Sequence, residues 1–152
     1  MALEWTLDMD TGIAVLDNQH QRIVDDINQL GTATEAHNRS LVGQVLDELV
    51  DYTLSHFAFE ESLQEAAGYQ FAKPHKAVHD NFIKRIASYR EKHSAGEDVA
   101  KQLHSMLCVW LVRHIKRDDM AYVLEVKGSL TQIVQDKTPQ GWLSRTLGRF
   151  FH

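Results

Sequence analysis

Histidines and carboxylates recur at helical intervals along this chain: His20 alone, His56 with Glu60, His75 with His79, and His114 ahead of Asp118 and Asp119. Residues four apart on a helix share a face, so each such pair can reach a common point. Five imidazoles and two carboxylates are too many for one ion and suit two ions bridged by carboxylates. The mixed nitrogen and oxygen donors favour iron or manganese over calcium, which prefers oxygen alone. One HxxxE or HxxxH taken singly reads as a surface pair or a hydrogen-bonded core histidine. The set is different, because every one of these groups falls on an apolar stripe, where an unpartnered polar group costs roughly 2–7 kcal/mol. A metal centre satisfies all of them at once.

The elements that must position them are helical. Prolines number two and glycines eight, strand-like alternation is scarce, and the 3.6-residue period recurs. After an irregular N-terminal arm through Ile13, a first helix carries Leu16, His20, Ile23, Val24, Ile27 and Leu30, with Asp17 as its N-cap, and ends around Ala36 to Asn38. A second, capped by Ser40, carries Val42, Val45, Leu46, Leu49, Thr53, His56, Glu60 and Leu63 and stops near Gly68. Pro74 suits the first turn of a third, with His75, His79, Phe82, Ile83, Ile86 and Tyr89 inward. A fourth starts near Glu97 and carries Leu103, Leu107, Trp110, Leu111, His114, an aspartate, Tyr122 and Val126. The fold class is all-α, an up-down-up-down four-helix bundle.

Composition narrows the function classes. The chain of 152 residues with net charge −5 is one domain in size and lacks the basic balance of a nucleic-acid binder. Cys108 is the one cysteine, is offset from the stripe, and reads as an inert buried thiol. The N-terminus has no secretory pattern and no apolar run spans a bilayer, which points to a cytoplasmic protein. His37, His93, His104 and His152 are out of register with the set and read as surface residues. Residues 1–126 hold twelve Lys or Arg against twenty Asp or Glu, whereas residues 127–152 hold four against one. The basic tail ends in an amphipathic segment with Trp142, Leu143, Leu147, Phe150 and Phe151 on one side and Arg145 and Arg149 on another. It is expected to dock back on the bundle or to meet a membrane surface or another protein through residues 141–152.

The order H, HxxxE, HxxxH, HxxxxD, one element per helix, resembles the hemerythrin family. The stretch "DNQHQRIVDDINQL" with upstream Trp5 is similar to its single-domain bacterial members. The resemblance covers residues 1 to about 126 and divides the chain into a diiron bundle, 1–128, and a basic aromatic extension, 129–152. It implies that His75, His79 and His114 bind one iron, that His20 and His56 bind the other, and that Glu60, Asp119 and an oxo or hydroxo group bridge them. A regular helix turns about 100° per residue and would set Asp118, not Asp119, beneath His114. The resemblance therefore predicts a π-bulge between His114 and Asp119, with Asp118 turned to solvent or paired with Lys116 or Arg117.

Function follows from the ligand set and from the resemblance together. A site with few anionic donors gives little support to high-valent iron, so it suits holding dioxygen rather than cleaving it. The resemblance implies reversible dioxygen binding by a carrier, store or delivery protein, not an enzyme. Oxygen, redox or nitric oxide sensing and diiron oxidase or iron-buffering activity are the alternatives. Ile23, Val24, Trp110 and Leu111 are placed to wall a dry oxygen pocket beside the metals, a monomer is expected, and an oxygen-consuming protein is the expected partner where residues 141–152 meet one.

Overall fold

The computed structural model describes residues 2–135; the tail segment 141–152 and His152 lie outside the described residues. The bundle is built from α1 (Ala14–Glu35), α2 (Arg39–Ala67), α3 (Ala72–Ser94), and a fourth rod made of three pieces in series. These are α4 (Ala100–Arg113), a π-helical segment (His114–Asp119) and α5 (Met120–Gln135). Short connections at 36–38, 68–71 and 95–99 force consecutive helices antiparallel. Among the described residues there are no strands, and no helix is long and apolar enough to cross a membrane.

Several helix ends differ from those the sequence predicts. α1 begins before Asp17, whose carboxylate accepts hydrogen bonds from the Thr11 backbone N–H at 2.8 Å, the Thr11 hydroxyl at 2.8 Å and the Gly12 N–H at 3.2 Å. Asp17 thus ties the arm to the bundle instead of capping the helix. α2 is capped by Asn38, whose side chain accepts from the Leu41 N–H at 3.0 Å, so Ser40 lies inside the first turn. Gly68 closes α2 in the left-handed conformation at φ 70°, as its place after the apolar stripe predicts. α4 begins at Ala100 rather than near Glu97, and Pro74 sits in the first turn of α3, where its missing N–H costs nothing. The fourth rod passes through Gly128 without a break, kinks at Val126, and buries Leu130 completely. The change in composition after Gly128 is therefore not the end of the packed helix.

The core has two apolar layers. Ile23, Ile27, Leu30, Leu46, Leu49, Phe57, Phe82, Leu107 and Leu111 belong to the larger, and Leu16, Phe59, Leu63, Tyr122, Val123 and Leu130 to the smaller. On α1, His20 lies between Leu16 of the small layer and Ile23 of the large one; on the fourth rod, His114 and Asp119 lie between Leu111 and Tyr122. A polar layer is thereby held between two apolar ones. Each fully buried large aliphatic side chain contributes about 1.5–3 kcal/mol, and these layers offset the cost of burying the charges between them.

Candidate metal centre

All seven candidate ligand side chains converge within the bundle, each at 0–5% exposure. They form two overlapping groups. The ligand atoms of Glu60, His75, His79, His114 and Asp119 lie within 4.8 Å of one another, and so do those of His20, His56, Glu60 and Asp119. Glu60 and Asp119 belong to both, the arrangement of a bridged pair. Asp119 presents Oδ1 at 3.2 Å from Nε2 of His75 and of His114, and Oδ2 at 3.0 Å from His20 Nε2. Glu60 Oε1 lies 3.2 Å from His56 Nε2 and 3.3 Å from His79 Nε2, with His75 and His114 at 3.9 and 4.0 Å.

The π-helical segment is what admits Asp119. Widening the turn between His114 and Asp119 brings residues five apart into line, as the ligand order predicts. The expectation for Asp118 is corrected. It pairs with neither Lys116 nor Arg117, but accepts the His114 Nδ1–H at 2.9 Å, while Lys116 pairs with Asp8 at 2.7 Å. The two consecutive aspartates hold opposite sides of one imidazole.

Other residues outside the predicted set hold the rings in place. His56 Nδ1 is 2.5 Å from Gln19 Oε1, His79 Nδ1 is 3.0 Å from Glu61 Oε2, and the Tyr122 hydroxyl donates to Glu60 Oε2 at 2.6 Å. Fixing Nδ1 leaves the Nε2 lone pair toward the cluster, the tautomer a metal ligand needs. Gln19 and Glu61 are sequence neighbours of ligands. Their partners come from other helices, so only their adjacency to His20 and Glu60 signalled a role. Stacking adds a second constraint: the rings of Phe57 and His79 are parallel with centroids 3.8 Å apart, and Trp110 stacks on His114 at 4.5 Å.

The electrostatics suit cations. Burial opposes ionisation of Glu60, but His56 and His79 outweigh it and hold its carboxyl well below the usual carboxylate range. For Asp119, burial and the neighbouring Glu60 charge are outweighed by His114, His20 and His75, and its pKa is lowered too. Burial, then Glu60 and Asp119, push the Tyr122 phenol far up, so it stays a neutral donor to Glu60. The bond from His114 lowers the Asp118 pKa and keeps it an anionic acceptor.

The donor set fits a pair of metal ions by a direct test. Both ring nitrogens of His20, Nε2 of His75, Oε1 of Glu60 and both oxygens of Asp119 are buried without a hydrogen-bond partner, although Asp119 and His20 approach to 3.0 Å. Leaving so many polar atoms unsatisfied would cost about 1–3 kcal/mol for each. Cations at the two overlapping foci would satisfy these ligand atoms together, with His20 Nδ1 directed away as the remaining exception.

Against the histidines lies a narrow apolar cavity bounded by Ile23, Ile27, Leu49, Thr53, His56, Phe57, Phe82, Leu107, Trp110, Leu111 and His114. Its free volume is about 10 Å³, the lower limit for a single water. Ile23, Trp110 and Leu111 of the expected wall line it. Val24 is buried in the large apolar layer and does not. Among the described residues, the remaining histidines belong to neither ligand group. His37 is exposed, but His93 and His104 are half-buried rather than on the surface. His104 Nε2 lies 3.7 Å from Cys108 Sγ, and burial raises the pKa of that thiol.

Fold and site define a four-helix bundle with a buried histidine and carboxylate cluster able to hold metal. A family model described as the hemerythrin HHE cation binding domain matches residues 11–124. The chain is 51% identical to a bacteriohemerythrin of Pseudomonas aeruginosa (strain PAO1) over 98% of this chain and 97% of that one. A bacteriohemerythrin of Methylococcus capsulatus (strain Bath) is 35% identical over 79% of this chain and 93% of that one. The crystal structure of a wild-type hemerythrin superposes with a TM-score of 0.76 at 34% identity, covering 80% of this chain and 95% of that one. The chain belongs to the hemerythrin family.

Proposed function

We propose that the protein binds dioxygen reversibly at two iron ions, as a carrier, store or delivery protein rather than an enzyme. The observation that carries this reading is the narrow apolar cavity set directly against His56 and His114 of the ligand cluster. On this reading His75, His79 and His114 would hold one iron and His20 and His56 the other, with Glu60 and Asp119, common to both groups, shared between them. The irons, when bound, supply the electrons that dioxygen takes up and gives back.

The chain's own residues govern the rest. Three imidazoles on one side and two on the other leave the His20 and His56 side with the smaller protein ligand set, and the cavity reaches the cluster at His56. Leu111, Phe57, Ile23 and Trp110 keep water from that side; water and protons would favour oxidation to a ferric pair. Gln19, Glu61 and Asp118 hold His56, His79 and His114 in one tautomer each, so the rings need not reorganise between states. On this reading the five imidazoles add no negative charge, and Glu60 and Asp119 together offset half the charge of two ferrous ions, a donor set poor in anions. That balance supports holding dioxygen over cleaving it.

The test is an anaerobic titration of the reduced, iron-loaded protein with dioxygen, followed by visible absorption and then by an argon purge. A charge-transfer band that grows to one dioxygen per two irons and vanishes on purging is the expected result. Irreversible passage to the ferric state with no such band would overturn it and leave sensing or oxidation as the task.

A further inference from the structure

A second cavity opens on the outside of the same cluster. The seam between α3 and α4 is the loosest of the four between neighbouring helices. It holds a groove of about 480 Å³ lined by Val78 and Arg85 of α3 and by Met106, Val109, Trp110, Arg113, His114, Arg117 and Asp118 of the fourth rod. Val109 is 58% exposed, an apolar side chain open to solvent on the groove wall.

The charge in this groove is unlike the rest of the surface. Residues 1–126 carry eight more acidic than basic side chains, and elsewhere arginines find partners: Arg22 pairs with Asp26, Arg90 with Asp47, and Arg39 donates to the carbonyls of His93 and Glu97. Among the described residues, Arg85, Arg113 and Arg117 have no ion-pair or hydrogen-bond partner, and all three line this groove. Guanidinium groups present paired donors that match carboxylate and phosphate. The one carboxylate on the lining, Asp118, accepts the His114 Nδ1–H through Oδ2 and keeps its negative charge, which the three guanidinium groups outnumber.

We propose that this seam is a binding groove for a small organic anion, with Arg85, Arg113 and Arg117 on its carboxylate or phosphate head and Val78, Met106 and Val109 under its apolar body. The volume lies within the range of about 300–1,000 Å³ typical of small-molecule sites. A large acidic partner would meet the negative charge of the surrounding body, whereas a small anion enters within reach of the three arginines alone. The occupant would lie one side chain from the metal centre, since Asp118 and Trp110 both line the groove and both contact His114.

Calorimetric titration of the full chain, iron-loaded and metal-free, tests the site. Flavin mononucleotide serves as the probe for an aromatic phosphate and decanoate for an aliphatic carboxylate; the tighter of the two identifies the source. Expected is one anion per chain, weakened at least tenfold in the Arg85→Gln/Arg113→Gln/Arg117→Gln variant and several-fold by Arg85→Gln alone, with melting temperatures near that of the parent. Riboflavin and inorganic phosphate, each lacking half of the ligand, should bind at least tenfold more weakly than flavin mononucleotide. The proposal is overturned if neither probe binds below millimolar concentration, if the arginine variants bind as the parent does, or if phosphate alone matches the organic probes.

Discussion

The two ends of the bundle use histidine in opposite ways. Near the start of α1 and the end of α2, His20, His56, His75, His79 and His114 turn Nε2 toward Glu60 or Asp119. At least three of these rings are also held from behind or by stacking. Near the end of α1 and the start of α4, His93 and His104 serve as packing. A Cβ added at Gly31 would come within 2.7 Å of His104 Nε2, and one added at Gly43 within 3.2 Å of His93 Nε2, so these rings lie against bare helix backbone. Neither belongs to a group of ligand atoms within reach of one ion among the described residues. The difference teaches that burial alone does not make an imidazole a candidate ligand: the five cluster rings are each faced by a buried carboxylate, and His93 and His104 are not.

The sharpest way to break this contrast is to exchange the roles. Asp119→Ala removes the residue common to both foci, and iron content measured by atomic absorption should fall from two to one or fewer per chain. His93→Ala and His104→Ala should retain two; loss of iron from either would end the distinction between the ends. Leu111→Ala tests the apolar wall. Truncating a buried leucine costs about 2–5 kcal/mol, read in chemical denaturation, and the opened cavity should speed conversion of the oxygenated form to the ferric one in air. An unchanged rate removes Leu111 from the barrier to water.

Smaller effects sharpen the account of ring orientation. Asp118→Ala frees His114 Nδ1 and should weaken iron binding by about 10–100-fold, measured by competition with a chelator, while the fold melts nearly as before. The smallest effect belongs to the packing end. Gly43 lies within α2 against the far end of the His93 side chain, which lines an open groove, so Gly43→Ala should stabilise by up to about 1 kcal/mol with iron content unchanged.

Much of the centre was legible because helix periodicity is a local property. His56 with Glu60 and His75 with His79 share faces by spacing alone, and Pro74 and Gly68 mark helix ends through their own backbone constraints. Cap identity was less legible. Asp17, Asn38 and Ser40 are all chemically able to cap, and the choice turned on where the arm and the α1–α2 connection cross the bundle. Val24 shows the same limit: it is one residue from Ile23 on the apolar stripe, but a helix turn of 100° per residue takes it off the cavity wall.

By itself the sequence determined the all-helical class, the inward ligand types and, through the resemblance, the need for a widened turn after His114. Tertiary structure alone decided which groups stand behind the ligands. Glu61 meets His79 from another helix, Gln19 meets His56 across α1 and α2, and Tyr122 reaches Glu60 from the fourth rod. It also decided that Asp118 and Asp119 divide one histidine between them and that three arginines share a groove. Spacing encodes which side of its own helix a residue faces. What it faces depends on how the helices are set against one another, and that is fixed by packing of the two apolar layers.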